Sequence, residues 1–365
     1  MSVRAFFDRY HERRPLLHKT ITSTIRPDLL GIQESMVSGS GLDTSLQRAL
    51  TEALGWEHTG KQWALFSDAG IVQSLKLGVE DTDFPPIVAK IFSCIISVQM
   101  FMLRIPVVSF FVASAPLFLE TLREFFGNSV DFDIWEFYYV TLGPFFGLST
   151  LVHPRLAASR PESLVLMPPG IGMGVRKHLG SVYRVLITPS DPNCPPFWFV
   201  NIHYTHFTNP EGVQIRTAET ERVLGWMKDV EGMTDGRVII AGDHNTLMPV
   251  EPLFERMQEA GYFSAHLEGT GAEPKSTWPS GIKAKYMDMD GADLHPQGVC
   301  LDFIWVKGDG AEVRSAGVAG DVPSQHDATL YPSDHIAVWA DIKFGGKGGE
   351  KKKKTEGKRR GRTKN

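Results

Sequence analysis

The chain has 365 residues, of which 42% are apolar and 22% are charged, with a formal net charge of −4 at neutral pH. This length and composition fit one large α/β or sandwich domain or two modest ones, and they exclude collagen-like, coiled-coil and wholly disordered chains. Three widely spaced cysteines exclude a disulfide framework and a cysteine-based zinc cluster, and they favour a reducing, intracellular compartment. Charges throughout the N-terminal segment predict that there is no cleavable signal peptide.

The charge is distributed unevenly along the chain. Lys347–Asn365 contains ten Lys/Arg and two acidic residues, a local charge of +8, so the remaining body carries −12. Such an acidic body is a weak electrostatic footprint for duplex nucleic acid. We expect the Gly-rich basic tail, residues 345–365, to be disordered. Two interpretations of the tail stay open: a segment that binds nucleic acid, anionic lipid or a nuclear import receptor, or a plain solvated extension.

The predicted elements alternate between strands and helices. Ser2–Arg26 has a loosely helical apolar pattern interrupted by Pro15, Asp28–Glu34 is a predicted buried strand, and Leu46–Trp56 is a second helix candidate. A further helix is predicted over Ile215–Val230. The remaining predicted strands are Val182–Ile187, Phe197–His203, Val238–Ala241, Val299–Val306 and Ile336–Ile342. Strands at wide spacing with a few long helices predict a layered α/β sandwich.

The segment Ile87–Leu119 is the most apolar part of the chain. Its uncharged runs, Ile91–Leu103 and Ile105–Leu119, contain 13 and 15 residues and are separated by Arg104. Both are shorter than the ~20 residues that span a bilayer. An interfacial or re-entrant hairpin that contacts a membrane and a buried helical insertion therefore stay open as alternatives.

Short polar clusters stand at the ends of the apolar strands. They are Gln33-Glu34, Asn201-Ile202-His203, Gly242-Asp243-His244-Asn245, Leu301-Asp302-Phe303-Ile304 and Ser333-Asp334-His335. Each cluster alone also fits a turn, a cap or a satisfied core residue, but their joint occurrence in this order is specific. Carboxylates can hold a hard cation, and amide or imidazolium donors can hold phosphate oxygens, so the set predicts phosphoester hydrolysis.

Asp302 lies inside Val299–Val306, an otherwise apolar run. Burying an unpaired carboxylate there would cost several kcal/mol, so we expect it to have a partner. His335 is the candidate, because a buried aspartate orients an imidazole and raises its basicity. The alternative is an aspartate that caps a nearby turn.

The motifs LLGIQE, VNIHYTH, IIAGDHNT, STWP, CLDFIWV and YPSDHIAVWADI together resemble the endonuclease/exonuclease/phosphatase superfamily, the DNase I-like proteins. The resemblance implies a four-layered α/β sandwich of two mixed sheets flanked by helices. This domain would occupy residues 1–344 and carry an apolar insertion at about 86–135. It also implies a metal-dependent phosphoric ester hydrolase, a phosphodiesterase above all, that uses Mg²⁺ or, in its place, Mn²⁺.

The resemblance also implies roles for individual residues. Glu34 and Asp334 are expected to bind the metal. Asp243 would orient or activate the attacking water, while His335, oriented by Asp302, would contact the phosphate or shuttle a proton; which of Asp243 and His335 is the base stays open. His203 and Asn245 are expected to donate to phosphate oxygens, with Asn201 supporting the site. Thr277 and Trp278 occupy the family's Thr-aromatic motif near the substrate, and together with Asn201 they are the expected substrate-binding residues.

Two features depart from the family pattern. No strand ending in an asparagine precedes Gln33-Glu34, so we expect weakened metal binding and a natural start further upstream than Met1. The apolar segment Ile87–Leu119 is the second departure, and it suggests either a membrane-linked branch or a private insertion.

The substrate stays open between nucleic acid, a lipid and a small molecule. CLDFIWV stands where inositol polyphosphate 5-phosphatases have Trp-Cys-Asp-Arg, which disfavours that subclass. A nuclease and a sphingomyelinase-like lipid phosphodiesterase remain as alternatives. A hypothesis from another class is a catalytically impaired, membrane-associated scaffold on the same fold.

Overall fold

The computed structural model describes residues 10–36, 50, 52–53, 146–159, 161–164, 166, 181–206, 210–246, 251–281 and 298–345. Ile87–Leu119, the insertion at about 86–135, the tail from residue 346 and most of Leu46–Trp56 lie outside the described residues. The predicted division into a domain, an insertion and a tail therefore stays a prediction. Within the described ranges, no helix is long and apolar enough to cross a membrane.

The described ranges contain helices and strands in alternation. The helices are α1 (Tyr10–Lys19), α2 (Pro210–Glu231), α3 (Leu253–Glu259) and α4 (Ala265–Thr270), with a π-helical turn at Thr20–Ile25 after α1. The strands are β1 (Leu29–Met36), β2 (Phe146–Val152), β3 (Leu156–Ala158), β4 (Glu162–Leu164), β5 (Ser181–Pro189), β6 (Phe197–His203), β7 (Val238–Asp243), β8 (Phe263–Ser264), β9 (Asp302–Lys307), β10 (Ala311–Ala319) and β11 (Ala337–Phe344).

A seven-stranded mixed sheet is the centre of the fold. Its strand order is β3-β5-β6-β7-β9-β8, with β4 also pairing with β5. Strands β6 and β7 run parallel, and the other neighbouring pairs are antiparallel. Because β6 and β7 are parallel, their carboxyl ends lie at the same end of the sheet, and α2 is the crossover that connects them.

Apolar clusters separate four layers of structure. The first cluster packs helices α2 and α3 on one face of the central sheet, with Met227 of α2 against strand residues such as Ile240. The second packs the opposite face, including Phe199, against strands of the pairs β1–β2 and β10–β11. The third packs Ile21 of the π-helical turn against Leu151 of β2. The predicted layered α/β sandwich is confirmed, although the inner layer next to the central sheet consists of two separate antiparallel pairs among the described residues.

Most of the predicted strands are present with small shifts at their ends. The predicted strand Val299–Val306 begins instead at Asp302, because Val299 pairs with Trp278 in an isolated bridge. The predicted interruption at Pro15 is wrong, since α1 continues through this residue and its apolar side packs against the β1–β2 pair.

A buried ion pair holds the chain that follows β6. Arg216 of α2 is fully buried and donates to both carboxylate oxygens of Glu251, at 3.0 and 2.6 Å. The same guanidinium donates to the carbonyl oxygen of Thr205 at 3.0 Å. Glu219, also buried in α2, accepts from the backbone amide and the hydroxyl of Thr205 at 3.1 and 2.8 Å. Two charged side chains of α2 thus fix the segment immediately after His203.

We expect Arg216→Met to lower the free energy of unfolding by ~3–5 kcal/mol, because it leaves the carboxylate of Glu251 buried without its partner. Urea unfolding followed by circular dichroism measures the loss. Arg256→Met is the matched control: Arg256 is 47% exposed and pairs with surface carboxylates, so we expect a change below ~1 kcal/mol. Equal losses in the two variants would contradict a stabilising role for the buried pair.

Candidate active site

Neighbouring strands of the central sheet place polar side chains in one row at the sheet edge. Backbone register aligns His203 of β6 with Asp243 of β7, and Asp243 with Asp302 of β9. Residues directly opposite each other on adjacent strands project to the same face. His335, two residues before β11, completes the group, since ligand atoms of Asp243, Asp302 and His335 lie within 4.8 Å of one another.

The row depends on a glycine at the end of β7. Gly242 has φ of +144°, and a Cβ there would lie 2.0 Å from the carbonyl oxygen of Ile202 in β6. A side chain at this position would push the two strands apart and disturb the alignment of His203 with Asp243. The alignment of Asp243 with His203 therefore requires a glycine at position 242.

The predicted pairing of Asp302 with His335 is confirmed. The Nδ1 of His335 lies 2.9 Å from Oδ2 of Asp302, and the two side chains are 24% and 14% exposed. Burial by itself lowers the pKa of His335, but the carboxylates of Asp302, Asp243 and Asp334 outweigh it and raise that pKa to about 10. His335 is therefore an imidazolium at neutral pH, with Nδ1–H donating to Asp302 and Nε2 at 3.9 Å from Asp243 Oδ2.

His203 lies on the other side of Asp243 and has the opposite protonation state. Its Nε2 is 3.6 Å from Oδ2 of Asp243. Burial above all, with a smaller contribution from neighbouring charges that include His335, lowers the pKa of His203 to about 3. One carboxylate thus stands between a cationic and a neutral imidazole, and such a divergence of pKa values is characteristic of acid–base sites.

Asn245 holds the carboxylate of Asp243 in place. Its backbone has φ of +48°, a left-handed conformation that asparagine tolerates, and its amide N–H donates to Asp243 Oδ1 at 2.8 Å. Its side-chain nitrogen donates to the carbonyl oxygen of Tyr204 at 2.8 Å. The second hydrogen on that nitrogen has no acceptor among the described residues, so donation from Asn245 to a phosphate oxygen stays a prediction.

Asn201 lies behind the site in a buried polar network. Its side chain is fully buried; Oδ1 accepts from Gln33 of β1 at 2.7 Å, and Nδ2 donates to the carbonyl oxygen of Ser149 of β2 at 3.0 Å. The hydroxyl groups of Tyr183 and Thr150, which hydrogen-bond to each other, are also within reach. Because Asn201 has no exposed surface, its place is between the two strand layers, where it joins β6 to β1 and β2.

Glu34 follows Gln33 in β1, in the stretch where the β1–β2 register shifts between Ile32 and Ser35. The hydrogen bond from Gln33 to Asn201 ties this irregular stretch to β6, the strand that carries His203. The backbone of the predicted metal ligand is thereby attached to the strand next to Asp243.

Acidic side chains near His335 make this region a candidate metal centre. Asp334 is 1% exposed; its Oδ1 accepts from the Ser333 hydroxyl at 3.3 Å, and its Oδ2 is buried with no hydrogen-bond donor among the described residues. A buried carboxylate oxygen without a donor suits a cation. The side chains whose ligand atoms lie within 4.8 Å of one another are those of Asp243, Asp302 and His335. The carboxylate oxygens suit a hard divalent ion, whereas the imidazolium of His335 does not act as a ligand in its protonated state.

Thr277 and Trp278 lie beside Asp302. Thr277 is fully buried, and its hydroxyl oxygen accepts from the backbone amides of Leu301 and Asp302 at 2.9 and 3.1 Å. Trp278 is partly buried and pairs with Val299 through its backbone. The hydroxyl of Thr277 is thus occupied by the protein itself, while contact of Trp278 with a substrate stays a prediction.

The sequence analysis did not predict that the hydroxyl groups of Tyr183 and Thr150 would lie within hydrogen-bond distance of Asn201. Tyr183 stands in the apolar run of β5 and is directly opposite Asn201 in the ladder. A tyrosine at the core face of a strand needs a partner for its hydroxyl, and this was the signal available in the sequence. Thr150 gave no comparable signal, because it belongs to β2, 51 positions from Asn201.

Comparison with solved structures finds similarity at low sequence identity. An endonuclease/exonuclease/phosphatase family protein from Bacteroides thetaiotaomicron is 14% identical, with 54% of this chain and 68% of that chain covered and a TM-score of 0.40. The mannosyl-6-phosphatase Bt3783 of the same species is 15% identical, with 55% and 73% covered and a TM-score of 0.41. A humanized D. rerio TDP2 is 11% identical, with 92% and 93% covered and a TM-score of 0.49.

The first of these proteins is named as a member of the endonuclease/exonuclease/phosphatase family, the same name as that of the superfamily that the sequence motifs resemble. No family model and no curated protein matches the chain. Since all three identities are below 25% and all three TM-scores are below 0.5, the case for a function rests on the geometry of the site.

We expect Asp302→Asn to lower the pKa of His335 by ~1–3 pH units, because the variant removes the carboxylate nearest the imidazolium. In the wild type, the raised pKa contributes stability fully below pH 6.5, and this contribution is lost as the pH rises to about 10. In the variant this loss of stability should end ~1–3 pH units lower and should be correspondingly smaller. NMR titration of the metal-free protein and urea unfolding between pH 6 and 10 measure both effects.

The control is Asp341→Asn, which removes an exposed carboxylate from β11. It should leave the pKa of His335 and the pH dependence of stability as in the wild type. An unchanged titration in Asp302→Asn would contradict the assignment of the raised pKa to this pair.

Proposed function

We propose that this chain is a divalent-metal-dependent hydrolase of phosphoester bonds, with phosphodiesters as the preferred class. The observation that carries the proposal is that Oδ2 of Asp243 lies 3.6 Å from Nε2 of His203 and 3.9 Å from Nε2 of His335. The pKa of the first imidazole is lowered and that of the second is raised. A phosphate needs donors for its oxygens and an acceptor for the proton of the attacking water, and this group contains both.

In this proposal, Asp243 is the general base. His335 already holds its proton at neutral pH, so a carboxylate is the better acceptor for a proton of the attacking water. The amide of Asn245 donates to Oδ1 of Asp243, and Oδ2, which lies 3.6 Å from His203 and 3.9 Å from His335, would take the proton.

His335 would stabilise the charge on the phosphate. Its Nδ1–H is held by Asp302, so the cationic ring is oriented with Nε2–H directed toward the region of Asp243, where a non-bridging phosphate oxygen can accept from it. His203 and Asn245 would add hydrogen bonds to the same phosphate.

Glu34 and Asp334 would hold the metal ion, Mg²⁺ or Mn²⁺. When bound, such a cation supplies neutralisation of charge on the phosphate oxygens. The buried, undonated Oδ2 of Asp334 supports this role for that residue. The tie from Gln33 to Asn201 supports the placement of the Glu34 backbone near the site.

A hydrolysis panel tests the proposal. It uses bis-p-nitrophenyl phosphate, p-nitrophenyl phosphate, single-stranded DNA, RNA and sphingomyelin, each with Mg²⁺, Mn²⁺ or EDTA. Metal-dependent turnover of a diester above that of Asp243→Asn supports the proposal, and the preferred compound distinguishes the nuclease, lipid and small-molecule alternatives. If the wild type hydrolyses none of the compounds faster than Asp243→Asn does, the proposed function is overturned and the scaffold hypothesis is favoured.

We expect Asp243→Asn and Glu34→Gln each to reduce hydrolysis ~10³-fold or more, because the first removes the base and the second removes a metal ligand. Steady-state kinetics on the best diester measures the loss. Glu259→Gln, an exposed carboxylate in α3, is the control and should retain wild-type activity. Retention of more than a tenth of the activity by either site variant would make its assigned role wrong.

Asp302 and His335 should behave as one unit. If Asp302 acts only through His335, the double variant Asp302→Asn/His335→Gln should lose about as much kcat as the worse single variant. Kinetics of the wild type, the two single variants and the double variant form the cycle that measures this. Losses that multiply in the double variant would show that the two side chains act independently.

A further inference from the structure

One short segment joins the two chain segments that carry Asp302 and His335. The hydroxyl oxygen of Thr277 accepts from the backbone amides of Leu301 and Asp302, at 2.9 and 3.1 Å. The carbonyl oxygen of Thr277 accepts from the backbone amide of Ile336 at 2.8 Å. A single residue therefore hydrogen-bonds to Asp302 on one side and to the neighbour of His335 on the other.

Further hydrogen bonds hold this segment against the His335 side. Ser280 donates its backbone amide to the carbonyl oxygen of Asp334 at 2.7 Å and its hydroxyl to that of Ser333 at 2.6 Å. Together with the bond from Ile336 to Thr277, these place the Thr277–Ser280 segment alongside the chain from Ser333 to Ile336. The backbone on both sides of His335 is thus tied to the same four residues.

The Asp302 side is held equally closely. The amides of Thr277 and Trp278 both donate to the carbonyl oxygen of Val299, at 2.8 and 3.0 Å, and the amide of Val299 donates back to Trp278 at 2.7 Å. Gly298 permits this approach: its φ is +71°, and a Cβ there would lie 2.0 Å from the hydroxyl oxygen of Ser276.

Within the Thr277–Ser280 segment, the side chain that hydrogen-bonds to Asp302 is that of Thr277, through its hydroxyl oxygen. Asp302 is the first residue of β9, and its backbone amide donates to the hydroxyl oxygen of Thr277. Thr277 is fully buried, and loss of its oxygen would leave two amides without that partner beside a buried side chain.

We propose that Thr277 is a positioning residue, whose hydroxyl fixes the backbone of Asp302 relative to His335 and so sets the alignment of the imidazole toward the substrate. In this role it does not contact the substrate. The proposal rests on the proposed hydrolase function only for its kinetic readout, because the pairing of Asp302 with His335 can be observed without turnover.

The test compares Thr277→Val, which keeps the shape and removes the acceptor, with Thr277→Ser, which keeps the hydroxyl. We expect Thr277→Val to reduce kcat for bis-p-nitrophenyl phosphate ~10–100-fold with little change in KM, and Thr277→Ser to restore most of it. In side-chain ¹H–¹⁵N spectra, the Nδ1–H signal of His335 should move upfield or vanish by exchange in Thr277→Val and return in Thr277→Ser.

Thr234→Val is the matched control. Thr234 is also fully buried, and its hydroxyl donates to the carbonyl oxygen of Arg237, next to the first residue of β7 and so at the end of that strand opposite Asp243. It should lower stability while leaving the His335 signal and kcat unchanged. If Thr277→Val does not fold, Thr277→Cys, with its weaker sulfur acceptor, takes its place and should show an intermediate loss.

Two results would overturn the proposal. One is an unshifted Nδ1–H signal of His335 together with wild-type kcat in Thr277→Val. The other is a raised KM at unchanged kcat, which would make Thr277 a substrate contact. If the wild type hydrolyses none of the phosphoesters but the signal shifts as expected, the positioning role is supported and the hydrolase function fails by itself.

Discussion

The register of three adjacent strands is the constraint on which the rest of the structure depends. Parallel pairing of β6 with β7 and antiparallel pairing of β7 with β9 bring His203, Asp243 and Asp302 into one row. A slip of one residue in either pairing would turn one of these side chains to the opposite face. Gly242 protects the first pairing by allowing a close approach that any Cβ would block.

The layers around this row hold its members from both sides. On the helix side, the buried Arg216–Glu251 pair and Glu219 fix the loop after β6. On the other side, Asn201 and Gln33 link the central sheet to β1, and the Thr277–Ser280 segment links β9 to the start of β11. Each link is a buried or partly buried polar contact. Hydrogen bonds and ion pairs therefore hold the polar ends of the strands, while apolar burial holds the interior of the sandwich.

The electrostatic surroundings give the two histidines of the site different pKa values. His203 and His335 are both partly buried beside the same carboxylate, yet their pKa values move in opposite directions. The difference arises because the carboxylates of Asp302, Asp243 and Asp334 outweigh burial at His335, whereas burial dominates at His203. Asp302, through its hydrogen bond of 2.9 Å, contributes most among the carboxylates that raise the pKa of His335. The proposed roles of Asp243 as base and His335 as electrostatic stabiliser follow from the two opposite pKa directions.

The amino-acid sequence by itself determined the strands, the layered architecture and the polar clusters at strand ends, because apolar periodicity and turn residues are local signals. It also determined that Asp302 needs a partner, since a carboxylate in an apolar run is costly wherever that run is buried. Only the tertiary structure decided that Asn201 and Thr277 lie behind the site and bond to the protein itself. Their partners, Gln33 and the amide of Asp302, are 168 and 25 positions away along the chain, and no local pattern encodes which distant group a buried amide or hydroxyl will meet.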